Sequence, residues 1–287
     1  MPSVKDLRER IRSLKNTQQI TKAMKQVAAA KIRRAEAAQK EARPYADTLS
    51  EMLRDLMAAV SSVDHPFVKP GKADAPTGVI LITADKGLAG AFNSNVIRAG
   101  ELFAREQKNG VAWYTVGIKA RNAVRRMGRG DRPFWPVNAP SKLQVAKEVA
   151  QRVTEDFVGG KISQIVLISS KLISMMSQKP EMRPLVPIEP PARPETPGVR
   201  GALEFAPSPE FVLSRLLPKY LEFTIFSAIL ETDAAFFAAQ LIAMNNATDN
   251  AGKLIDQLTI QMNNARQAAI TKELLEIVGG AEALVKG

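Results

Sequence analysis

One apolar register runs for many helical turns at each end of this chain, and the two together decide what it can fold into. Stepping alternately by three and four residues from Val4 visits Leu7, Ile11, Leu14, Gln18, Thr21, Lys25, Ala28, Ile32, Ala35, Gln39, Ala42, Ala46, Leu49, Leu53, Leu56 and Val60. The same stepping from Leu213 visits Leu216, Tyr220, Phe223, Ser227, Leu230, Ala234, Phe237, Leu241, Met244, Thr248, Ala251, Ile255, Leu258, Met262, Ala265 and Ala269. A sustained 3.5-residue repeat marks helices wound around one another in a left-handed supercoil. At 1.5 Å rise per residue each helix is roughly 80–90 Å long, well beyond the diameter of an ordinary domain. Two amphipathic helices lying on a globular core would show the same stripes but would outrun that core. The stripes sit at opposite ends of the chain, so they are expected to pair antiparallel, with the intervening residues folded into a separate body. On this register Leu258 is a seam position, and a charge there is expected to destabilise the pair.

Charge and composition narrow the class. The 287 residues are 45% hydrophobic and 24% charged, a globular balance, and carry a net charge of +11. The excess is concentrated from Lys5 to Arg43, where the only acids are Asp6, Glu9, Glu36 and Glu41. A cationic helix attracts acidic partners: nucleic acid, anionic lipid or an acidic protein sleeve. The chain has no cysteine, which removes disulfides, thiolate chemistry and cysteine metal sites. The first residues, Met1 to Asp6, enter the stripe directly, so no signal or transit segment is expected, and no unbroken run of eighteen apolar residues occurs.

Between the stripes, apolar runs alternate with amphipathic ones. Thr77–Thr83, Val111–Gly117 and Ile162–Ser169 read as strands; Asn93–Lys108, Ile118–Met127 and Leu143–Val158 read as helices. The alternation predicts a doubly wound, Rossmann-like parallel sheet. Segment 179–209 is rich in proline and is expected to be largely irregular, with room for an edge strand. Ser208-Pro209-Glu210 supplies an N-cap, a first-position proline and an acid for the second long helix. Pro44 and Pro218 fall inside the long helices and are expected to kink them. The expected organisation is an N-terminal helix over 1–60, an α/β domain over 77–207 and a C-terminal helix over 208–287.

A doubly wound sheet invites a nucleotide-binding reading, but neither G-x-x-x-x-G-K-[ST] nor G-x-G-x-x-G occurs. Gly87 and Gly90 read as a tight strand-to-helix turn. The one histidine, His65, precedes Pro66 in an expected solvated loop, so no histidine relay or metal cluster can be assembled. Asp85 and Lys86, at a strand's carboxyl end, are the candidates if chemistry occurs. No catalytic, metal-binding or cofactor-binding set is expected.

Three segments carry a family resemblance. They are Leu14-Lys15-Asn16-Thr17-Gln18-Gln19-Ile20-Thr21-Lys22-Ala23-Met24-Lys25-Gln26-Val27-Ala28-Ala29-Ala30-Lys31, Thr83-Ala84-Asp85-Lys86-Gly87-Leu88-Ala89-Gly90, and Ala247-Thr248-Asp249-Asn250-Ala251-Gly252 with Ala265-Arg266-Gln267-Ala268-Ala269-Ile270-Thr271-Lys272-Glu273-Leu274. In this order they resemble the gamma subunit of F-type ATP synthase, of the bacterial type. The resemblance implies a non-catalytic rotor shaft that couples proton flow through the c-ring to ATP synthesis or hydrolysis in the ring of alpha and beta subunits. It also implies the epsilon subunit as a partner, no cofactor, and a peripheral place on the cytoplasmic face of the bacterial plasma membrane. By motif, Arg266, Gln267 and Thr271 resemble the shaft's contact with a beta-subunit loop, and Lys22, Met24 and Lys25 the facing segment of the first helix. Phe205 occupies the place of an aromatic near the c-ring, and the apolar tail Ile277 to Val285 suits an apolar sleeve. One departure stands out: many members carry Ser-Glu and then Ala-Arg-Met before the Ala-Met pair, where this chain has Ala235-Phe236-Phe237-Ala238-Ala239-Gln240-Leu241. The missing arginine puts in doubt the coupling contact it makes elsewhere. Without a cysteine-bearing insert, thiol control of the chloroplast kind is not expected. From the residues alone, a nucleic-acid-binding coiled coil and a standalone α/β enzyme remain open alternatives.

Overall fold

The structure is a computed structural model describing residues 3–59, 65–128, 133–188 and 208–285. It divides into two units, Ala29–Gln240 and a second made of Met1–Ala28 with Leu241–Gly287. Helix α1 (Val4–Ala59) and helix α5 (Pro209–Val285) each contribute to both.

Both long helices start as their sequences dictate. Ser3 Oγ accepts from the Asp6 amide at 3.2 Å while Asp6 Oδ2 accepts from the Ser3 amide at 3.1 Å, a reciprocal cap that also holds the Asp6 carboxyl below its usual range. Ser208 Oγ accepts from the Phe211 amide at 3.3 Å, as the Ser-Pro-Glu sequence predicts. Pro44 and Pro218 lie within uninterrupted helices.

In the smaller unit the helices run antiparallel: Gln18 and Thr21 meet Thr248, whereas Lys25 meets Asn245. Leu7, Ile11 and Ala28 are buried, as are Met244 and Ala251, all on the predicted register. Leu14, Ile255, Leu258 and Met262 are half-buried on the same seam. Gly252 faces Gln18, whose Nε2 would lie 3.1 Å from an added Cβ.

In the larger unit the same two helices continue to run antiparallel, with Lys31 beside Phe237 and Tyr45 beside Phe223. Here they pack on a five-stranded sheet of β1 (Thr77–Ile82), β2 (Val111–Val116), β3 (Phe134–Trp135), β4 (Ile165–Ser174) and β5 (Ser177–Val186), in the order β3-β2-β1-β4-β5. All neighbours are parallel except β4 and β5, which form an antiparallel edge. Alternation along β1 divides the core: Ile80 and Ile82 face α4 (Lys142–Val158), α5 and the end of α1, while Val79 and Leu81 face α2 (Phe92–Glu106) and α3 (Ile118–Arg126). The first face holds Val145, Val149 and Val153 of α4, Leu217, Leu221 and Ile225 of α5, and Leu53 and Leu56 of α1.

The sequence reading is corrected in four places. The third strand begins later than Ile162 and runs on as one arm of a long hairpin. Its partner is a ten-residue strand that includes Pro180 and Pro184 of the proline-rich segment. Proline lacks a donor, which confines it to a sheet edge such as this one. The two-residue β3 went unpredicted. Helix α5 buries more than its heptad stripe: Leu217, Leu221, Ile225, Ile229, Thr232, Ala235 and Phe236 form a second buried face against the sheet side. One stretch of this helix is long and apolar enough to cross a membrane by composition, and 56% of it is buried inside the protein. Finally, His65 is not a solvated loop residue. Its Nδ1 accepts from the Phe67 amide at 3.1 Å, its ring lies 5.0 Å from that of Phe67, and burial lowers its pKa.

Two predictions follow the packing. Leu258→Asp places a charge in the half-buried seam and is expected to cost about 1–3 kcal/mol, read as a lower melting temperature; an unshifted melt would remove Leu258 from the seam. Gly117 has φ +98° and an added Cβ would lie 2.1 Å from the Thr83 carbonyl oxygen. Gly117→Ala is therefore expected to destabilise by about 3 kcal/mol or more in denaturant titration.

Candidate functional site

A doubly wound sheet binds ligands in the crevice at the carboxyl ends of its strands, where strand order reverses. Here that point lies between β1 and β4, and α5 fills it. Ala235, Phe236 and Ala239 pack with Ala84, Ala89 and Phe92 of the segment after β1, joined by Leu172 of β4. The Phe92 and Phe236 rings meet edge-on at 5.7 Å, and both residues are at most 5% exposed. This is the stretch in which the chain departs from the family pattern. Its two phenylalanines serve different neighbours, Phe236 plugging the crevice while Phe237 lies under the Lys31 ammonium at 5.3 Å.

The turn after β1 is structural in its details. Asp85 Oδ1 accepts from the amides of Ile118 at 2.9 Å and Val137 at 3.3 Å, and Oδ2 from Asn138 at 2.8 Å. That carboxylate caps the first residue of α3 and ties down the loop before α4, so its lone pairs are engaged by backbone. Asn93 closes the turn by accepting from the Ala84 amide and donating to the Lys86 carbonyl, each at 3.0 Å. The left-handed residues are Leu88 (φ 62°) and Gly90 (φ 58°). Gly87, in the same turn, does not adopt a positive φ.

Beside the plug lies a half-buried ion pair between Lys142 of α4 and Asp233 of α5. Burial pushes the Asp233 carboxyl up, and Lys142 offsets part of that rise. On the other side of the helix, Glu231 is also pushed up, first by burial and then by Glu181, which itself bridges Lys171 at 2.8 Å and Arg183 at 2.7 Å. A further buried acid, Asp156, receives the Tyr114 hydroxyl at 2.8 Å and the Lys161 ammonium at 3.1 Å. These contacts outweigh burial and hold the carboxyl below its usual range. Each acid is satisfied by the fold, and no group of three or more metal-ligating side chains occurs among the described residues.

The smaller unit carries the other predicted residues. Three of the four polar seam positions of α1 turn out to be hydrogen-bonded across to α5. Gln18 Nε2 donates to the Thr248 carbonyl at 3.4 Å, Thr248 Oγ1 donates to Thr21 Oγ1 at 2.8 Å, and Lys25 Nζ donates to Asn245 Oδ1 at 2.5 Å. Lys25 is thus committed inside the pair, while Lys22 is exposed and Met24 half-buried beside it. Arg266, Gln267 and Thr271 are exposed and make no hydrogen bond or ion pair among the described residues. The structure does not bring the two groups together: Lys25 lies opposite Asn245, and Arg266 is roughly 30 Å farther along α5 at the α-helical rise. From Arg266 to Gly279 every residue of α5 is exposed, including Ile270, Leu274, Leu275, Ile277 and Val278. Phe205 lies outside the described residues.

Similarity to known proteins agrees with this architecture. The family model described as ATP synthase matches residues 3–284. The ATP synthase gamma chain of Pelotomaculum thermopropionicum is 45% identical over 287 residues, covering 99% of this chain and 100% of that one. The chain belongs to the ATP synthase gamma chain family. The gamma chain of Phenylobacterium zucineum is 43% identical over 99% of this chain and 100% of its own length. Among solved structures, a chain of the Euglena gracilis mitochondrial ATP synthase (OSCP/F1/c-ring) has a TM-score of 0.68 at 18% identity, covering 98% of this chain and 94% of that one. A chain of the Tetrahymena thermophila mitochondrial ATP synthase central stalk and c-ring has a TM-score of 0.60 at 23% identity, covering 79% and 99%. At these identities the two structures establish a shared fold. As a gamma-chain family member, this protein places an apolar plug where an α/β enzyme would keep its ligand crevice.

Lys142→Met is expected to test the pair beside the plug. An acid whose folded pKa is raised above its ordinary value costs stability once pH exceeds that value, 3.8 for Asp233, and the cost grows until the folded group ionises. Removing Lys142 raises the folded pKa further. The variant should therefore lose more stability relative to the parent at pH ~8 than at pH ~5 in paired denaturant titrations. Equal losses at both values would show that Asp233 does not respond to Lys142.

Proposed function

We propose that this chain is the central rotor shaft of an F-type ATP synthase, linking rotation of a c-ring to nucleotide turnover in a ring of alpha and beta subunits. The observation that carries the reading is the exposed end of α5: beyond the last half-buried seam residue, Ala265, the helix presents arginine, glutamine, threonine and a series of large apolar side chains to its surroundings. A solitary helix with that surface is marginal in water and is expected to lie within a partner. An asymmetric shaft contacts each surrounding subunit differently. Its rotation therefore exchanges their conformations by differential contact, and it need carry no chemistry of its own. The engaged Asp85 carboxylate and the plugged crevice support the non-catalytic role. The basic face of α1 suits acidic partner loops. Within this reading the alpha and beta subunits surround the helix pair, with Arg266, Gln267, Thr271, Lys22 and Met24 facing beta, and Lys25 setting the register behind them. The α/β body and Phe205 stand toward the c-ring and the epsilon subunit, at the cytoplasmic face of a bacterial membrane.

Reconstitution of the purified chain with alpha and beta subunits is expected to give a stoichiometric complex with ATPase activity. Failure to associate under conditions where a related gamma chain does so would overturn the shaft reading. Arg266→Ala leaves the fold untouched, because the side chain has no intramolecular bond to lose. It is expected to lower the protons moved per ATP hydrolysed in membrane vesicles at an unchanged melting temperature. Normal pumping per ATP in that variant would remove Arg266 from the coupling contact.

A further inference from the structure

The larger unit has an open hollow that neither the rotor role nor the fold explains. It holds about 390 Å³ of space between α1, α4 and α5 and is walled by Tyr45, Phe223, Phe226 and Leu143. The rings contact in series: Tyr45 and Phe223 are tilted with centroids 4.6 Å apart, and Phe223 meets Phe226 edge-on at 5.5 Å. Tyr45 is 53% exposed and Leu143 41% exposed, so apolar surface faces solvent here. The rim is cationic. Lys219 is bonded to Glu222 at 2.9 Å, but Lys147 of α4 has no hydrogen bond or ion pair among the described residues. A second hollow of about 420 Å³ continues from it along α4, sharing Lys147 and Glu222 and lined also by Glu148, Glu155, Gln144, Gln151 and Thr154.

We propose that this aromatic hollow is a binding site for a small planar aromatic anion. The ring system of such a ligand packs against Phe223, Phe226 and Tyr45, and its negative group meets the Lys147 ammonium. Three features select this occupant. The space lies within the range of small-molecule sites, about 300–1,000 Å³. Tilted aromatic walls favour a flat ring over an aliphatic chain, because offset and edge-on ring contacts add to the area buried. The Lys219 charge is neutralised by Glu222, so Lys147 leaves the rim of this hollow with a net positive charge that attracts an anionic group, while Glu148 and Glu155 line the neighbouring hollow. Since the walls come from three helices distant in sequence, the ligand binds only the folded chain and must raise its melting temperature.

The test is titration of the full chain with anilinonaphthalene sulfonate, alongside phenylnaphthylamine, which has the same rings without the anionic group. The expected result is one saturable site per chain for the sulfonate, with weaker binding of the neutral analogue and a higher melting temperature in saturating sulfonate. Lys147→Gln, at an exposed position that cannot disturb the core, should weaken the sulfonate about twofold to fivefold, the size of an exposed charge pair, and leave the neutral probe unaffected. Phe226→Ala should weaken both probes. Ile277→Ser, in the exposed apolar end of α5, should leave the saturable site unchanged and so separates it from nonspecific uptake there. Absence of saturable binding up to about 1 mM, or a site indifferent to both Lys147→Gln and Phe226→Ala, overturns the proposal. If the probes fail to bind while Phe226→Ala blocks reconstitution with alpha and beta subunits, the hollow is a seat for a protein partner and the proposal is likewise overturned.

Discussion

Mutual burial of two apolar seams that lie at opposite ends of the chain is the interaction on which everything else rests. Neither helix is stable in water by itself, since helix propensity alone barely sustains even alanine-rich segments and most helical stability in proteins comes from packing. Each seam therefore requires the other. α5 meets a second demand in the larger unit, where its other face completes the sheet's core through Leu217, Leu221 and Ile225. That double duty explains why residues 224–239 are buried or half-buried at every position, whereas the part paired only with α1 returns to a single stripe.

Polar residues within the seams limit how the helices can pair. Apolar heptads alone tolerate a shift by a whole repeat, because alanine and leucine knobs fit many holes. Gln18, Thr21 and Lys25 find Thr248 and Asn245 in only one alignment, and Gly252 leaves room for the Gln18 amide in that same alignment. In any other register an ammonium would lie against the seam without its acceptor, at a cost of several kcal/mol if it were fully buried. The crevice of the sheet is governed by a comparable exclusion. Phe236 and its small neighbours occupy the position that the topology offers to a ligand, so a fold common among nucleotide-binding enzymes serves here as a mount for helices.

Much of this was written in the chain. The heptads were legible because every stepped position of α1 from Leu7 to Leu56 is buried or half-buried, so the pattern reports one physical interface without interruption. β1 and β2 were legible as short, mostly apolar runs followed by amphipathic helices. The hairpin of β4 and β5 was not, since its turn at Met175-Met176 lacks the usual turn residues and its second arm carries prolines that only an edge can accept. Arg266, Gln267 and Thr271 were singled out by the family motif that carries them, not by the heptad pattern, which runs on to Ala269. The role of Asp85 depends on amides thirty and fifty residues away, at Ile118, Val137 and Asn138, and no local pattern announces such partners. For the same reason the heptad register placed Lys25 on the seam without naming its acceptor, Asn245.

The distance in sequence between paired residues has a consequence for biosynthesis. Lys25 and Asn245 are separated by 220 residues. A ribosome adding about 5–20 residues per second needs roughly 10–45 s to deliver the second after the first. Throughout that interval the nascent first helix has no seam to pair with, and its apolar stripe is open to any other chain in the vicinity. Its dense positive charge gives emerging copies a mutual repulsion, so the same lysines and arginines that would greet acidic partners in the finished protein also keep its unfinished forms apart.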